Sequence, residues 1–517
     1  MEQAAYILCA DIGTSSLKAA FISTTGQLLA FVREPYPAER VLTGTVLASD
    51  WEEAFIRAVG ALQGALQQRG NRAASQAGPT GRAGPTGRAG SAGSAGKAGR
   101  ASVASYAGVA SHAGRAGPAG RAGLIGLAIS GNGPTLVPVT QTGEALLPLH
   151  WHDGRVTASP DEKRHRSLFL PHAAFLAQKE PAQFEQTGRF LSTHEWLSWR
   201  LGAEPVTVIP NQAYIPYYWD AAQLSAYGLD GSLFPPFVEQ GNLIGRVSAR
   251  AAERTGLPVG LPIIAGGADF ITALIGTGVI LPGMVMDRAG TSEGINICTE
   301  QGSKARELRT LPHITEGLWN VGAILPTTGR LFEWFRHITG QEHRDYREML
   351  AEILQCKQRT RPRDFFFPDI RSTGSLRVSS AFLSTAGLTN RAELGYAVIE
   401  SIAFMVRRSI EHLEEEGYRI EGMRLSGGQA KNPYWNQFKA DVTGRWLAIP
   451  EIEDGELAGN ACLAMKGLGL YPSLEAAIEQ TVKIKHVYEP VQQCYAMHAE
   501  RYEVYTTMLH KMERFFE

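Results

Sequence analysis

Apolar positions in this chain fall into two kinds of run, short unbroken ones and longer ones spaced by three and four. Unbroken runs bounded by Gly, Asp or Ser predict buried strands. Tyr6-Ile7-Leu8-Cys9-Ala10 is the first, and Ala19 to Ile22 follows, closed by the turn Thr24-Thr25-Gly26. Leu124 to Ile129, Leu136 to Val139 (ending at the turn Gln141-Thr142-Gly143-Glu144) and Met423-Arg424-Leu425 are others. Helical spacing places Trp51, Phe55, Ile56, Val59, Leu62 and Leu66 on one face of a helix opened by Asp50. Residues 167–201 read as helical, through Phe175, Leu176, Phe184, Trp196, Leu197 and Leu201. A helix carrying Leu331, Trp334 and Phe335 follows Leu325-Pro326-Thr327-Thr328-Gly329-Arg330, and a long one runs from about Arg391 to Glu416. The last helix puts Tyr495, His498, Tyr502, Tyr505, Leu509, Met512 and Phe516 on a stripe best explained as core-facing.

Residues 256–286 hold seven glycines, three prolines and a single formal charge, Asp269. The length suits a membrane span, but the glycines and prolines argue against one. The stretch reads as a strand into Ala265-Gly266-Gly267, a helix beginning near Asp269, and a turn at Leu281-Pro282-Gly283. Asp269 therefore stands where a strand gives way to a helix, the place where α/β sheets hold ligands. A lone carboxylate in such surroundings needs a partner or a chemical task. Capping the helix would serve as well as catalysis.

From Gly78 to Gly126 every third residue is Gly, except Ser102, Ser105 and Ser111. The period is that of collagen, but few prolines accompany it and it interrupts a domain. Such triplets bury too little apolar surface to offset ordering entropy, so a mobile basic insertion is expected over 71–123.

With 517 residues, two or more domains are expected. A net charge of −1 gives no reason to expect nucleic acid or an anionic membrane as partner. Five scattered cysteines suit a reducing compartment. The first residues, Met-Glu-Gln-Ala-Ala-Tyr, lack the basic region of a secretory signal, and a cytoplasmic location is expected.

Four loops carry candidate chemistry. Asp11-Ile12-Gly13-Thr14-Ser15-Ser16-Leu17-Lys18 joins two strands and gathers N–H groups and hydroxyls suited to an anion, with an acid placed to hold Mg²⁺ through water. An ordinary hairpin with an acidic end is the alternative. Asp287 to Gly294 is read as a turn rich in small donors, suited to phosphate. Trp151-His152-Asp153-Gly154-Arg155 combines an aromatic face, an acid and a guanidinium, as polyol sites do, or is a plain surface loop. Ser426-Gly427-Gly428-Gln429-Ala430-Lys431-Asn432 is a second strand-to-helix junction on which a nucleotide could lie.

In this order and spacing, these loops together with Gly266-Gly267-Ala268-Asp269 resemble the FGGY carbohydrate kinases, especially the xylulokinase-like branch. The resemblance implies two ribonuclease-H-like α/β domains, as in the actin, Hsp70 and hexokinase ATPases, with an interdomain cleft. It implies a sugar-binding half at 1–255, interrupted by 71–123, and a nucleotide-binding half at 256–517 ending in a helix. Asp269 would be the general base and Asp11 would orient the Mg²⁺ of ATP. Thr14, Ser15, Lys18, Gly290, Thr291 and Ser292 would hold the phosphates, and Gly427, Gly428 and Asn432 would border the adenosine. Asn132, Gly133, Pro134, Trp151, Asp153, Arg155 and Asp269 would meet the sugar.

Two departures from the family pattern fall on the sugar side. Gly131-Asn132-Gly133-Pro134 stands where xylulokinases carry Gly-Gln-Met-His. His172 and Phe175-Leu176 replace a Lys followed by Trp-Leu. The expected activity is transfer of the ATP γ-phosphate to a terminal hydroxyl of a small sugar, a ketopentose such as xylulose foremost. The alternative is an ATP-binding regulator or scaffold of the same fold. An actin-like filament former lacks positive support. No nucleic acid or membrane partner is expected, and a homodimer is left open.

Overall fold

The computed structural model describes residues 5–76, 123–156, 166–290, 292–356, 364–370, 378–385, 387 and 390–516. The Gly-x-y triplets at 77–122 lie outside the described residues. Two large mixed sheets organise the chain. The first joins β1 (Ala5–Ile12), β2 (Ser16–Ser23), β3 (Leu28–Pro35), β4 (Gly123–Gly131), β5 (Leu243–Arg246) and β6 (Pro262–Ala268) in the order β3-β2-β1-β4-β6-β5. β1, β2 and β3 form an antiparallel meander, and β4 and β6 add in parallel beside β1.

The second sheet joins β7 (Val285–Ala289), β8 (Glu293–Thr299), β9 (Arg309–Pro312), β10 (Trp319–Leu325), β11 (Gly422–Ser426), β12 (Trp446–Pro450) and β13 (Ile484–Tyr488). Its order, β9-β10-β8-β7-β11-β12-β13, repeats the first plan: β10, β8 and β7 pair antiparallel, and β11 and β12 add in parallel. This duplicated pattern is the ribonuclease-H-like fold of the actin-type ATPases. The division expected at 255 lies ahead of β6, which completes the first sheet.

β1 reads as an unbroken apolar run because both of its faces are covered. Leu8, Ala10 and Ile12 face α1 (Ala48–Gln76), packing with Trp51, Phe55, Val59 and Leu62. Ile7 and Cys9, on the opposite face by strand alternation, meet Leu457, Ala461, Cys462 and Met465 of a helix from the other half. Each fully buried Leu, Ile or Phe among them contributes roughly 1.5–3 kcal/mol. The α1 helix begins where Asp50 Oδ2 accepts the Leu47 N–H at 2.8 Å.

Five further helices position the site: α2 (Asp269–Thr277), α3 (Arg391–Glu415), α4 (Pro433–Thr443), α5 (Gly455–Gly467) and α6 (Gln492–Phe515). α2 leaves the first sheet after β6, α5 leaves the second after β12, and the two cross at backbone contact. A Cβ on Gly276 would lie 1.8 Å from the Gly455 carbonyl oxygen, and one on Gly459 would lie 1.9 Å from that of Thr272. Only glycine permits this approach.

The long helix and the C-terminal stripe are found as expected. His498, Tyr502, Tyr505 and Leu509 are buried, and Glu400 on α3 binds both His498 (3.1 Å) and Arg501 (2.8 Å) of α6. The span 167–201 is not continuous helix. Helices Leu170–Lys179 and Thr193–Leu201 flank the strand Thr187–Leu191, which pairs with Val137–Thr140. That pairing, invisible in a helical spacing count, decides the local conformation. Among the described residues, no helix is long and apolar enough to cross a membrane.

Candidate active site

The ends of β1, β6 and β12 and the β7–β8 hairpin bring a chain of charged groups together. Asp11, at the end of β1, is buried, and its Oδ1 accepts a hydrogen bond from Ser130 Oγ of β4 at 2.8 Å. Asn460 of α5 donates to Ser130 Oγ (2.9 Å) and to the Ala10 carbonyl (2.8 Å), tying the second half to the end of β1. Lys18, opposite Asp11 in the β1–β2 register, lies 3.8 Å from Asp11, 3.1 Å from Asp454 and 3.7 Å from Glu456. Lys431 pairs with Asp454 at 2.6 Å.

Asp269 is the first residue of α2, and the N-cap position belongs to Ala268. Its Oδ1 accepts the Phe270 N–H at 2.7 Å, and its Oδ2 accepts from Arg288 Nη2 at 2.8 Å. Arg288 Nε donates to Glu456 Oε1, also at 2.8 Å. The one charge in residues 256–286 thus has a partner.

Burial, with the nearby Glu456 and Asp269 carboxylates, pushes the Asp11 carboxyl up to about 7 against the pull of Lys18 and Arg288. Burial would raise Glu456 too, but Lys18 and Arg288 outweigh it and bring that carboxyl down to about 2. Burial also opposes the charges of Lys18 and Arg288, yet the surrounding carboxylates raise both above their ordinary values.

The turn expected at Asp287 to Gly294 is narrower than the sequence suggests, being the tip of the β7–β8 hairpin. Asp287 and Glu293 sit on β7 and β8 and point into the core, where Lys439 of α4 binds both, at 2.7 Å and 2.5 Å. Burial and Asp287 push the Glu293 carboxyl up to about 8, despite Lys439. The turn itself is Gly290 to Ser292, closed by the Gly290 N–H on the Ser292 carbonyl at 2.8 Å. Thr291 lies outside the described residues. Gly427, at φ 98°, packs against this hairpin so tightly that a Cβ would sit 2.4 Å from the Ala289 carbonyl oxygen.

Other expected residues take varied places. Thr14 and Ser15 are half-buried in the β1–β2 turn, where the Gly13 N–H donates to the Ser16 carbonyl at 3.1 Å. Gly428 is exposed at the start of the loop before α4. Asn432 is the N-cap of α4: its Oδ1 accepts from the Tyr434 and Trp435 N–H groups, while Nδ2, buried, has no protein partner. The Asn132 N–H donates to the Ile12 carbonyl at 2.9 Å, beside Asp11, and its buried Oδ1 is likewise unpartnered. The neighbouring Gly133-Pro134 peptide is cis, and a Cβ on Gly133 would lie 3.8 Å from that of Ala268, next to Asp269. Trp151 is exposed, and its N–H donates to Thr135 Oγ1 at 3.3 Å. Asp153 and Arg155 bind each other in a two-point contact (Nε–Oδ1 3.0 Å, Nη2–Oδ2 2.7 Å), with no described bond to Asp269.

Sequence reading assigned no role to Arg288, Lys431, Asp454 or Glu456. A signal was present: Asp454-Gly455-Glu456 is an acid-rich strand-to-helix junction of the same kind as that at Asp269.

Among the described residues, no group of three or more His, Cys, Asp or Glu is arranged to hold a metal. A Mg²⁺ carried on phosphates needs only one or two carboxylates. Asp11 fits that requirement, because a cation beside a buried acid raised to about 7 would favour its ionised form. Asn432 Nδ2, buried and without a protein partner, is a donor left for a ligand.

The model of the C-terminal domain of the FGGY family of carbohydrate kinases matches residues 286–468, and that of the N-terminal domain matches 170–276. An autoinducer-2 kinase from Yersinia enterocolitica is 27% identical over 344 residues, spanning 62% of this chain and 65% of that protein. One from Salmonella choleraesuis is 25% identical over 357 residues, spanning 65% and 67%. These curated relatives are therefore matched over only about two thirds of their length. Among solved structures, a xylulose kinase from Rhodospirillum rubrum aligns with TM-score 0.71 at 18% identity, covering 99% of both chains. A gluconate kinase from Lactobacillus acidophilus aligns with TM-score 0.73 at 18% identity, covering 98% of both.

Proposed function

The chain belongs to the FGGY family of carbohydrate kinases, and from that premise we propose that it transfers the γ-phosphoryl group of ATP to a terminal hydroxyl of a small sugar. The observation that carries this reading is Asp269: a carboxylate at the start of α2, bonded to Arg288 of the hairpin from the second sheet and adjoining the cluster around Asp11. Proton removal from an alcohol needs a positioned base, and transfer of phosphoryl needs orientation and charge neutralisation.

In this reading Asp269 accepts the proton of the sugar hydroxyl. Asp11 holds the Mg²⁺ that accompanies ATP and that neutralises phosphate charge. Thr14, Ser15 and Lys18 on one turn, and Gly290, Thr291 and Ser292 on the other, hold the β- and γ-phosphates. Gly427, Gly428 and Asn432 border the adenosine, with the free Asn432 Nδ2 as a donor to it. Asn132, Gly133 and Pro134 line the sugar beside Asp269, and Trp151, Asp153 and Arg155 form the outer wall.

The relatives are named for autoinducer-2, xylulose and gluconate, all polyhydroxylated carbon chains. A ketopentose such as xylulose heads the candidates here. Acceptor-dependent release of ADP, screened across ketopentoses, aldonates and polyols, tests the proposal. A protein that binds ATP yet releases ADP with none of them would be a nucleotide-dependent regulator instead.

A further inference from the structure

Arg288 stands at the meeting point of the groups just described. It is the next-to-last residue of β7, two positions before Gly290. Strand alternation turns Asp287 into the buried cluster with Lys439 and turns Arg288 the other way, toward Asp269. Its Nε is anchored on Glu456 and its Nη2 on Asp269, while Nη1 has no partner among the described residues. The side chain is 29% exposed, which leaves part of it within reach of a ligand.

Lys18 differs. Its ammonium is shared among Asp11, Asp454 and Glu456. Arg288 is the better donor to an incoming anion, because a guanidinium is planar, permanently charged and able to bond at two points at once.

We propose that Arg288 is a catalytic residue whose guanidinium spans the base Asp269 and a non-bridging oxygen of the phosphoryl group in flight. This rests on the kinase reading. In the step, the acceptor hydroxyl oxygen forms the new bond to the γ-phosphorus and its proton passes to the Asp269 carboxylate. The bond between that phosphorus and the β–γ bridging oxygen breaks, and the oxygen leaves with the electron pair as part of ADP. Arg288 neutralises charge on the moving group while Glu456 keeps its fork aimed. A guanidinium so placed accounts for on the order of 10³–10⁵ in rate in other phosphoryl-transfer sites.

The test compares wild type, Arg288→Lys and Arg288→Gln by calorimetry with Mg²⁺ and either ADP or a non-hydrolysable ATP analogue. If Arg288 meets the γ-phosphate, Arg288→Gln loses preference for the triphosphate by at least about tenfold while ADP affinity stays within about twofold. Retained ADP binding shows that the variant is folded. With an acceptor from the screen, kcat should fall by about 10³ in Arg288→Gln, with KM for the acceptor little changed. Unchanged triphosphate preference with near wild-type kcat in both variants would overturn the proposal and leave Arg288 as a structural tie. Should wild type phosphorylate no acceptor, the kinase reading fails, and the binding comparison alone still decides whether Arg288 touches the γ-phosphate.

Discussion

Lys18 Nζ lies 3.1 Å from Asp454 Oδ1, joining the second strand of the first sheet to the residue that precedes α5 in the second half. Both groups are largely buried, so their attraction is screened less than that of a surface pair. The pair closes a path of charges from Lys431 through Asp454, Lys18, Glu456 and Arg288 to Asp269. A displacement at one end of this path changes the field at the other.

Asp269→Asn should separate base chemistry from helix structure. Asn can still accept the Phe270 N–H on its oxygen, but its amide nitrogen would then face the Arg288 guanidinium, so thermal stability should fall by about 1–3 kcal/mol while the helix itself stays formed. The amide cannot take a proton, and kcat should fall by ~10²–10⁴ with ADP affinity unchanged. Near wild-type kcat on a true acceptor would remove Asp269 from the mechanism.

Asp11 should make the unliganded protein less stable as pH rises. Its folded value of about 7 exceeds that of an unfolded Asp, so its contribution is fully present below the unfolded value and is lost as pH climbs through about 7. Asp11→Asn, free of that charge, should melt higher than wild type at pH 8 and near wild type at pH 4. Adding Mg²⁺ and ADP at pH 8 should stabilise wild type more than the variant. A variant that melts below wild type at pH 8 without ligand would contradict the assignment.

Within the buried Lys439–Asp287–Glu293 cluster the three groups should not be equivalent. Glu293, pushed up to about 8, carries its proton for much of the time at pH 7, so Glu293→Gln should be mild. Lys439→Met leaves Asp287 and Glu293 buried without the ammonium that binds both, and should cost about 3–5 kcal/mol in urea unfolding. Equal stability of the two variants would mean that the cluster is not organised around the ammonium.

The helix crossing should tolerate no methyl group. Gly459→Ala places a Cβ against the Thr272 carbonyl, and parting the helices to admit it should cost about 1–3 kcal/mol. Because α2 begins at Asp269 and α5 carries Glu456, kcat should fall by more than the lost stability explains. Thermal melts and kcat measured on one preparation decide this, and an unaffected kcat would show that the crossing does not set the site.

Some strands were legible where an apolar run ended in an acid, a glycine or a serine, as at Asp11, Gly267 and Ser426, because strands buried on both faces need no alternation. Thr187–Leu191 was not, since five residues between two helices carry too short a period to read. Asp454 and Glu456 resemble a solvated turn in sequence; their burial follows from α5 passing beneath the first sheet, a long-range event. Lys439 is invisible for the same reason, as nothing local to α4 announces two acids opposite it. Asp153 and Arg155, by contrast, were legible as a cluster, but their mutual bond is a matter of side-chain geometry.

Because α5 covers one face of the first sheet, time enters the assembly of this molecule. Ile7, Cys9, Ala20, Ile22, Ile125 and Ala128 are made early, yet their cover, Leu457 through Met465, leaves the ribosome only after the whole of β7 to β12. At ~5–20 residues per second, that face waits on the order of ten seconds or more as open apolar surface. The nascent chain is therefore exposed to chaperones and to aggregation over that interval. A chain cut before Gly455 would keep that face open permanently.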